Sequence, residues 1–138
     1  MKRIVLDASV TMSWCFPDES NSYAASVLDT LPSSQAVVPW LWPLEIANVL
    51  LAGERRGRLS ETDTTRFLSL LESLPIQIDR TPPSPVMEDI LRLGRKHGLS
   101  AYDACYIELA RREGLALATI DDQLRTAAER MGLCIVEP

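Results

Sequence analysis

Short apolar runs alternate with amphipathic stretches along the whole chain. Ile4-Val5-Leu6 is a continuous apolar run of the kind that suits a strand buried on both faces, so a first strand is expected over Lys2–Leu6. A helix is expected around Ser20–Leu31, then a second strand at Ala36–Val38 that Pro39 stops. Pro43 takes the favoured first position of a helix running to about Arg55, and Gly57 ends it. Glu61–Ser73 reads as the next helix, and Pro75 introduces a third strand at Ile76–Ile78. The cluster Pro82, Pro83 and Pro85 starts a helix that reaches about Lys96. Gly98-Leu99, Gly114-Leu115 and Gly132-Leu133 each follow a helical stretch, the mark of a glycine cap with an apolar residue folded back. Strands are expected after the second and third of these pairs, at Leu115–Ala118 and Leu133–Val136. Alternation of this kind predicts an α/β fold: a three-layer α/β/α sandwich with right-handed helical crossovers around a parallel sheet.

A length of 138 residues suits a single domain spanning 1–138, able to bury roughly 70% of its unfolded surface. With 46% hydrophobic and 24% charged residues, the chain is neither a disordered tail, a collagen-like repeat nor a coiled-coil rod. No apolar run approaches the roughly 20 residues that span a bilayer. The opening MKRIVLDASV places Asp7 inside its apolar stretch and lacks a cleavage site, so it does not read as a signal peptide. A cytoplasmic protein with no membrane partner is expected. Acids outnumber bases 19 to 14, which argues against holding nucleic acid by overall charge. Lysine occurs only at Lys2 and Lys96; the other basic residues are arginines, better suited to bidentate phosphate contacts. Cys15, Cys105 and Cys134 form no C-x-x-C, and with His97 as the lone histidine they argue against structural zinc. They read as buried free thiols.

The candidate chemistry lies in where the acids fall. Asp7 follows the first strand, and Glu45 lies in the first turn of the Pro43 helix. Asp103 opens another helix in GLSAYDACYIELA, and Asp121 and Asp122 follow the fourth strand in LATIDDQL. In a doubly wound sheet, strand C-termini and the N-termini of the following helices share one edge, where ligands bind. Singly, each acid has an ordinary structural explanation. Ser100-x-x-Asp103 and Thr119-x-x-Asp122 fit capping boxes, Glu45 favours a helix dipole, and Asp7 suits a turn. Jointly they fall at the same edge, whereas structural acids would scatter over both. Two carboxylates about 4 Å apart repel by roughly 4 kcal/mol at an effective dielectric near 20. Such a cluster takes up protons or binds a hard cation, and oxygen-only ligands point to one or two Mg2+ or Mn2+ ions. The residues therefore suggest a metal-dependent phosphodiesterase.

Asp-Ala-Ser at 7–9, Glu45 followed by Asn48, Tyr-Asp-Ala at 102–104 and Thr-x-Asp at 119–121 resemble the PIN-domain ribonucleases. The spacing is most similar to the VapC-type toxins of toxin–antitoxin systems, and the likeness spans residues 7 to 121. The resemblance implies that Asp7, Glu45, Asp103 and Asp121 are the catalytic, metal-holding acids, with Asp122 a further candidate that helix capping explains equally well. It implies hydrogen-bonding support from Ser9, Asn48 and Thr119. It also implies a five-stranded sheet of order 3-2-1-4-5, endonucleolytic cleavage of RNA, a homodimer, and a cognate antitoxin as partner.

Arg55, Arg56 and Arg58 are candidate RNA contacts; Arg92, Arg95 and Lys96, and Arg111 and Arg112, form two further basic patches. All lie at or just beyond helix ends, where cations also favour the dipole. His97 reads as a helix-end residue of the same kind. Trp40 and Trp42 flank the approach to Glu45, where packing is the more ordinary use of tryptophan and base stacking the functional one. Rival classes fit less well. A phosphoacceptor signalling domain needs a late lysine, and none follows Lys96. A phosphatase with Asp-x-Asp after its first strand is contradicted by Ser9. A catalytically silent module of this fold, binding RNA or protein, stays open as the alternative.

Overall fold

Ile4, Val5 and Leu6 of the first strand are all buried, and so are Ala36, Val37 and Val38 of the second. Successive strand side chains point to opposite faces, so both faces of the sheet are covered. The structure, a computed structural model, describes residues 2–138. In chain order the elements are β1 (Lys2–Leu6), α1 (Ala8–Cys15), α2 (Ser22–Thr30), β2 (Ser34–Val38), α3 (Trp42–Arg55) and α4 (Glu61–Ser73). Then follow β3 (Ile76–Ile78), α5 (Pro83–His97), α6 (Ala101–Glu113), β4 (Ala116–Ala118) and α7 (Asp122–Arg130). The strands pair in parallel in the order β3-β2-β1-β4, with Ile4 opposite both Ala36 and Ala116. Strand order reverses at β1, which makes the crevice beyond its C-terminal end the natural ligand position.

The sheet has four strands, not the five expected. Leu133–Val136 lies alongside β4 but makes one parallel bridge, Leu117 to Ile135, rather than a strand. Leu117 N–H donates to the Cys134 carbonyl and Val136 N–H to the Leu117 carbonyl, each at 2.9 Å. The next ladder bond would join Thr119 N–H to the Val136 carbonyl. That carbonyl instead accepts the Tyr23 hydroxyl at 2.8 Å, with the Thr119 backbone beside the same hydroxyl.

Helix α1 was not expected. Its sequence, ASVTMSWC, is rich in β-branched, serine and other weak helix formers. Ala8, Val10, Thr11, Met12 and Ser13 are all buried, so no polar face marks its period. The predicted glycine caps hold: Gly98 and Gly114 take φ of 65° and 64°, and Leu99 and Leu115 N–H close back onto Gly94 and Ala110. Of the cysteines, all free, only Cys105 is buried; Cys15 is half-buried and Cys134 exposed, which corrects the expectation of three buried thiols. Helix α6 is central to the packing. It lies against β1, β4, α5 and α7, and every residue from Ala104 to Ala110 is buried. Among the described residues no helix is long and apolar enough to cross a membrane.

Candidate active site

Asp7 stands where β1 ends, its N–H donating to the Ala118 carbonyl of β4 at 3.0 Å. It occupies the N-cap position of α1, yet its side chain caps nothing. Instead Oδ2 accepts two hydroxyls, Ser9 Oγ at 2.6 Å and Thr119 Oγ1 at 2.8 Å. Those hydroxyls accept in turn from Ile120 N–H at 3.2 Å and Asp121 N–H at 3.0 Å, which leaves their own protons for Asp7. The carboxylate is thus held across the sheet from β1 to the end of β4 while only 5% exposed. Its Oδ1 makes no hydrogen bond among the described residues. Burial pushes its pKa from 3.8 up to about 6; the Ser9 and Thr119 bonds oppose the rise, and the charges of Asp103 and Asp121 add to it.

Glu45 sits in the first turn of α3, where its Oε1 accepts the hydroxyl of Tyr106 at 2.6 Å. Burial raises its pKa; the Tyr106 bond opposes this, and the charges of Asp7 and Asp103 raise it further. Asp103 lies in the first turn of α6. Ser100 Oγ accepts its N–H at 3.1 Å, but the carboxylate makes no return bond, so only half of the expected capping box forms. The carboxylate stays free, and burial followed by the charge of Asp121 raises its pKa. Asp121 caps α7, its Oδ1 accepting Leu124 N–H at 2.8 Å. The expected Thr119-x-x-Asp122 box is therefore replaced: Thr119 turns to Asp7, Asp121 caps, and Asp122 is an exposed first-turn residue.

Four acids from four separate places in the chain thus share one cleft and feel one another's charge. Among the described residues, no lysine or arginine forms an ion pair with any of them. Their donor atoms are all carboxylate oxygens. The nearby Cys105 thiol is pushed up to about 11 by burial and then by the charges of Glu108 and Glu45, so it stays protonated at neutral pH. Among the described residues, no three His, Cys, Asp or Glu side chains form a ready cage for a metal. An open carboxylate cleft still fits a hard divalent cation that keeps several waters and takes further oxygens from a phosphate.

The other expected residues divide. Asn48 is exposed one turn beyond Glu45 and bonds none of the acids. Arg55 and Arg56 close α3, about 15 Å along the helix axis from Glu45. Arg58 is tied to Asp18 and Glu19 at 3.0 and 2.7 Å and stacks on the Phe16 ring. Arg112 is tied to Glu108 and Asp79, and Arg92 pairs with Asp89. His97 ends α5, half-buried, as expected. The two tryptophans part: Trp42 is 7% exposed and packs in the core, whereas Trp40 is 43% exposed. Tyr106 was not among the expected site residues. Its place three residues after Asp103, on the same helical face, is the sequence signal that could have found it. An apolar groove of about 630 Å³ lies away from the acids, between α3, α4 and β3, lined by residues such as Trp42, Ile46, Leu50, Leu68 and Ile78. Its lining is mostly apolar, with Glu54 and Glu72 as its acids.

The sequence matches the PIN domain family over residues 4–130. Ribonuclease VapC3 of Pyrobaculum aerophilum is 30% identical over 122 residues, which is 88% of this chain and 92% of that protein. The crystal structure of PAE2754 from the same organism superposes with a TM-score of 0.70 at 23% identity, covering 92% of this chain and 84% of that one. The structure of a toxin–antitoxin complex from Klebsiella pneumoniae gives 0.58 at 18% identity, with 86% of each chain covered. At these identities the two structures speak for the fold alone. The family match runs from the first strand through the last helix and takes in all four acids, so this chain belongs to the PIN domain family.

Proposed function

We propose that this chain is a Mg2+- or Mn2+-dependent endoribonuclease, the toxin of a toxin–antitoxin pair, acting as a homodimer. One observation supports the reading: Asp7, Glu45, Asp103 and Asp121 lie close enough to feel one another's charge, and among the described residues none of them has an ion-pair partner. Kinship with a protein named a ribonuclease supports the substrate class, and the antitoxin partner is carried over as a proposal from a fold neighbour solved as a toxin–antitoxin complex. The apolar groove beside α3, with exposed Leu51, Leu68 and Ile78 in its lining, offers a surface suited to that partner's apolar residues.

The four carboxylates would hold the cation through oxygen, with one or two ions bound. When bound, the cation supplies Lewis-acid stabilisation of charge on a phosphodiester undergoing in-line displacement. Ser9 and Thr119 fix the Asp7 carboxylate in one orientation and leave its Oδ1 uncommitted. Asp121 serves the α7 cap through Oδ1, which leaves Oδ2 for the cleft. Glu45, Asp103 and Asp121 are only half-buried, so the cleft opens to solvent as access to a polymer requires.

The test is cleavage of RNA in Mn2+ by wild type, Asp7→Asn and Asp103→Asn. Each substitution is expected to lower the rate by about a thousandfold or more, the scale on which a reacting constellation fails when one member is lost. Undiminished cleavage by well-folded Asp7→Asn protein would overturn the mechanism. A wild type that binds RNA or a partner chain without cutting would favour the catalytically silent module.

A further inference from the structure

We propose that Tyr106 is a positioning residue for Glu45, its buried hydroxyl fixing the orientation in which that carboxylate faces the acid cleft. The inference rests on the metal-dependent reading of the cleft given above. Tyr106 is fully buried, at 0% exposure, so its ring is clamped by the core. Its hydroxyl donates to Glu45 Oε1 at 2.6 Å, a short bond to a charged acceptor. Among the described residues this is the one hydrogen bond that the Glu45 side chain makes. The Ala8 backbone N–H lies against the same hydroxyl, at the start of α1. Tyr106 therefore joins the beginning of α1, beside Asp7, to the acid of α3.

The choice of donor is informative. An arginine or lysine here would orient Glu45 but also neutralise it, and the cleft would lose part of its attraction for a cation. A phenol, a neutral donor at ordinary pH, supplies orientation while leaving the negative charge in place. Glutamate has three rotatable side-chain bonds, and an unheld Glu45 would spread over several rotamers. With one oxygen pinned, the other is left for a ligand. The helix matters as well: α6 delivers Asp103 itself and, three residues later on the same face, the tyrosine that holds Glu45.

Thermal melts of the full chain across a MnCl2 titration test the assignment without RNA. Four proteins are compared: wild type, Tyr106→Phe, Glu45→Gln and the double variant. Tyr106→Phe removes one oxygen and keeps the ring. Its Mn2+ midpoint, read from the metal-induced rise in Tm, is expected to move about tenfold higher, as when the hydrogen-bond partner of a ligand is lost. In the Glu45→Gln background the same change should shift the midpoint by less than about twofold, because the group it acts through is gone. A purely structural tyrosine would lower the Tm in EDTA equally in both backgrounds and leave the Mn2+ midpoint where it was. Either that result or an undiminished shift in the Glu45→Gln background overturns the inference. If the phenylalanine variant fails to fold, Glu45→Asp replaces it. It keeps the charge but is one methylene shorter, so it cannot reach the hydroxyl and should show the same shift; a wild-type midpoint there overturns the inference as well. A wild type that gives no Mn2+ response sinks the metal reading and Tyr106's role together. A wild-type response that phenylalanine reproduces sinks the role of Tyr106 alone.

Discussion

At the N-terminal end of α6, Asp103 faces Asp7, Glu45 and Asp121; towards its C-terminal end, buried Glu108 meets Arg112 and, through it, Asp79. Both regions remove carboxylates from water, and they settle the cost in opposite ways. Arg112 bonds Glu108 through Nε at 2.7 Å and Asp79 through Nη2 at 2.6 Å, and the Thr81 hydroxyl and backbone N–H both donate to the second acid. Burial alone would raise the Asp79 pKa, but the Arg112 and Thr81 hydrogen bonds bring it below the ordinary value. In the cleft, among the described residues, no cation pairs with the acids, and the Asp7 pKa is driven upward instead. The same residue types at the same helix therefore form an arginine-paired staple at one end and, among the described residues, a cluster without an ion-pair partner at the other.

The comparison can be broken most forcefully at Arg112. Arg112→Ala leaves Glu108 and Asp79 without their cation, and urea denaturation at pH 7 is expected to show a loss of about 4 kcal/mol. The deficit should shrink as pH falls from 3.8 towards the lower pKa that Asp79 holds in the folded wild type, because over that window the unfolded chain binds a proton that the paired carboxylate does not, and the pair's contribution is lost. Asp7→Asn should do the reverse in metal-free protein. A carboxyl that titrates at about 6 when folded and 3.8 when unfolded binds its proton more tightly in the native state. It therefore destabilises the fold above pH 6, by up to about 3 kcal/mol, and this penalty fades between pH 6 and 4. The variant is expected to melt several degrees above wild type at pH 7 in EDTA, and level with it near pH 4. A lower Tm at pH 7 would show that Asp7 is structurally satisfied as it stands. The smallest effect comes from the one device that only holds the cleft end of α6 in place. Ser100→Ala removes the cap whose oxygen accepts Asp103 N–H and should cost about 1 kcal/mol, read as a fall in Tm independent of Mn2+.

Much of this contrast was legible before any coordinates. Acids placed after β1 and β4 and at the starts of α3 and α6 announce a common edge, because strand ends and helix starts meet there in any parallel α/β sheet. The details that hydrogen bonding arbitrates were not legible. Thr119 could cap α7 through a box with Asp122 or turn to Asp7, and the sequence fits either use; in the fold it bonds Asp7, and Asp121 caps. Leu133–Val136 has the pattern of a strand, but the Tyr23 hydroxyl takes the carbonyl that would extend the ladder. Helix α1 lacked a visible period because it is buried on most sides, and amphipathicity is a signal only where one face meets water. The arginines of 55–58 looked available for RNA, yet Arg58 is committed to Asp18, Glu19 and Phe16, partners distant in sequence.

The sequence by itself determined the alternation of strands and helices, the glycine caps, and the edge at which Asp7, Glu45, Asp103 and Asp121 gather. These follow from local propensity, hydrophobic period and the geometry of parallel sheets, all of which act over a few residues or through a single layer rule. Only the tertiary structure decided which hydroxyls hold Asp7, that Tyr106 reaches Glu45 across sixty-one residues, and that Arg112 pairs with one set of acids while the other set, among the described residues, has no ion-pair partner. Those outcomes turn on which of several competent donors comes within about 3 Å of a given oxygen, a distance that only the packed chain fixes.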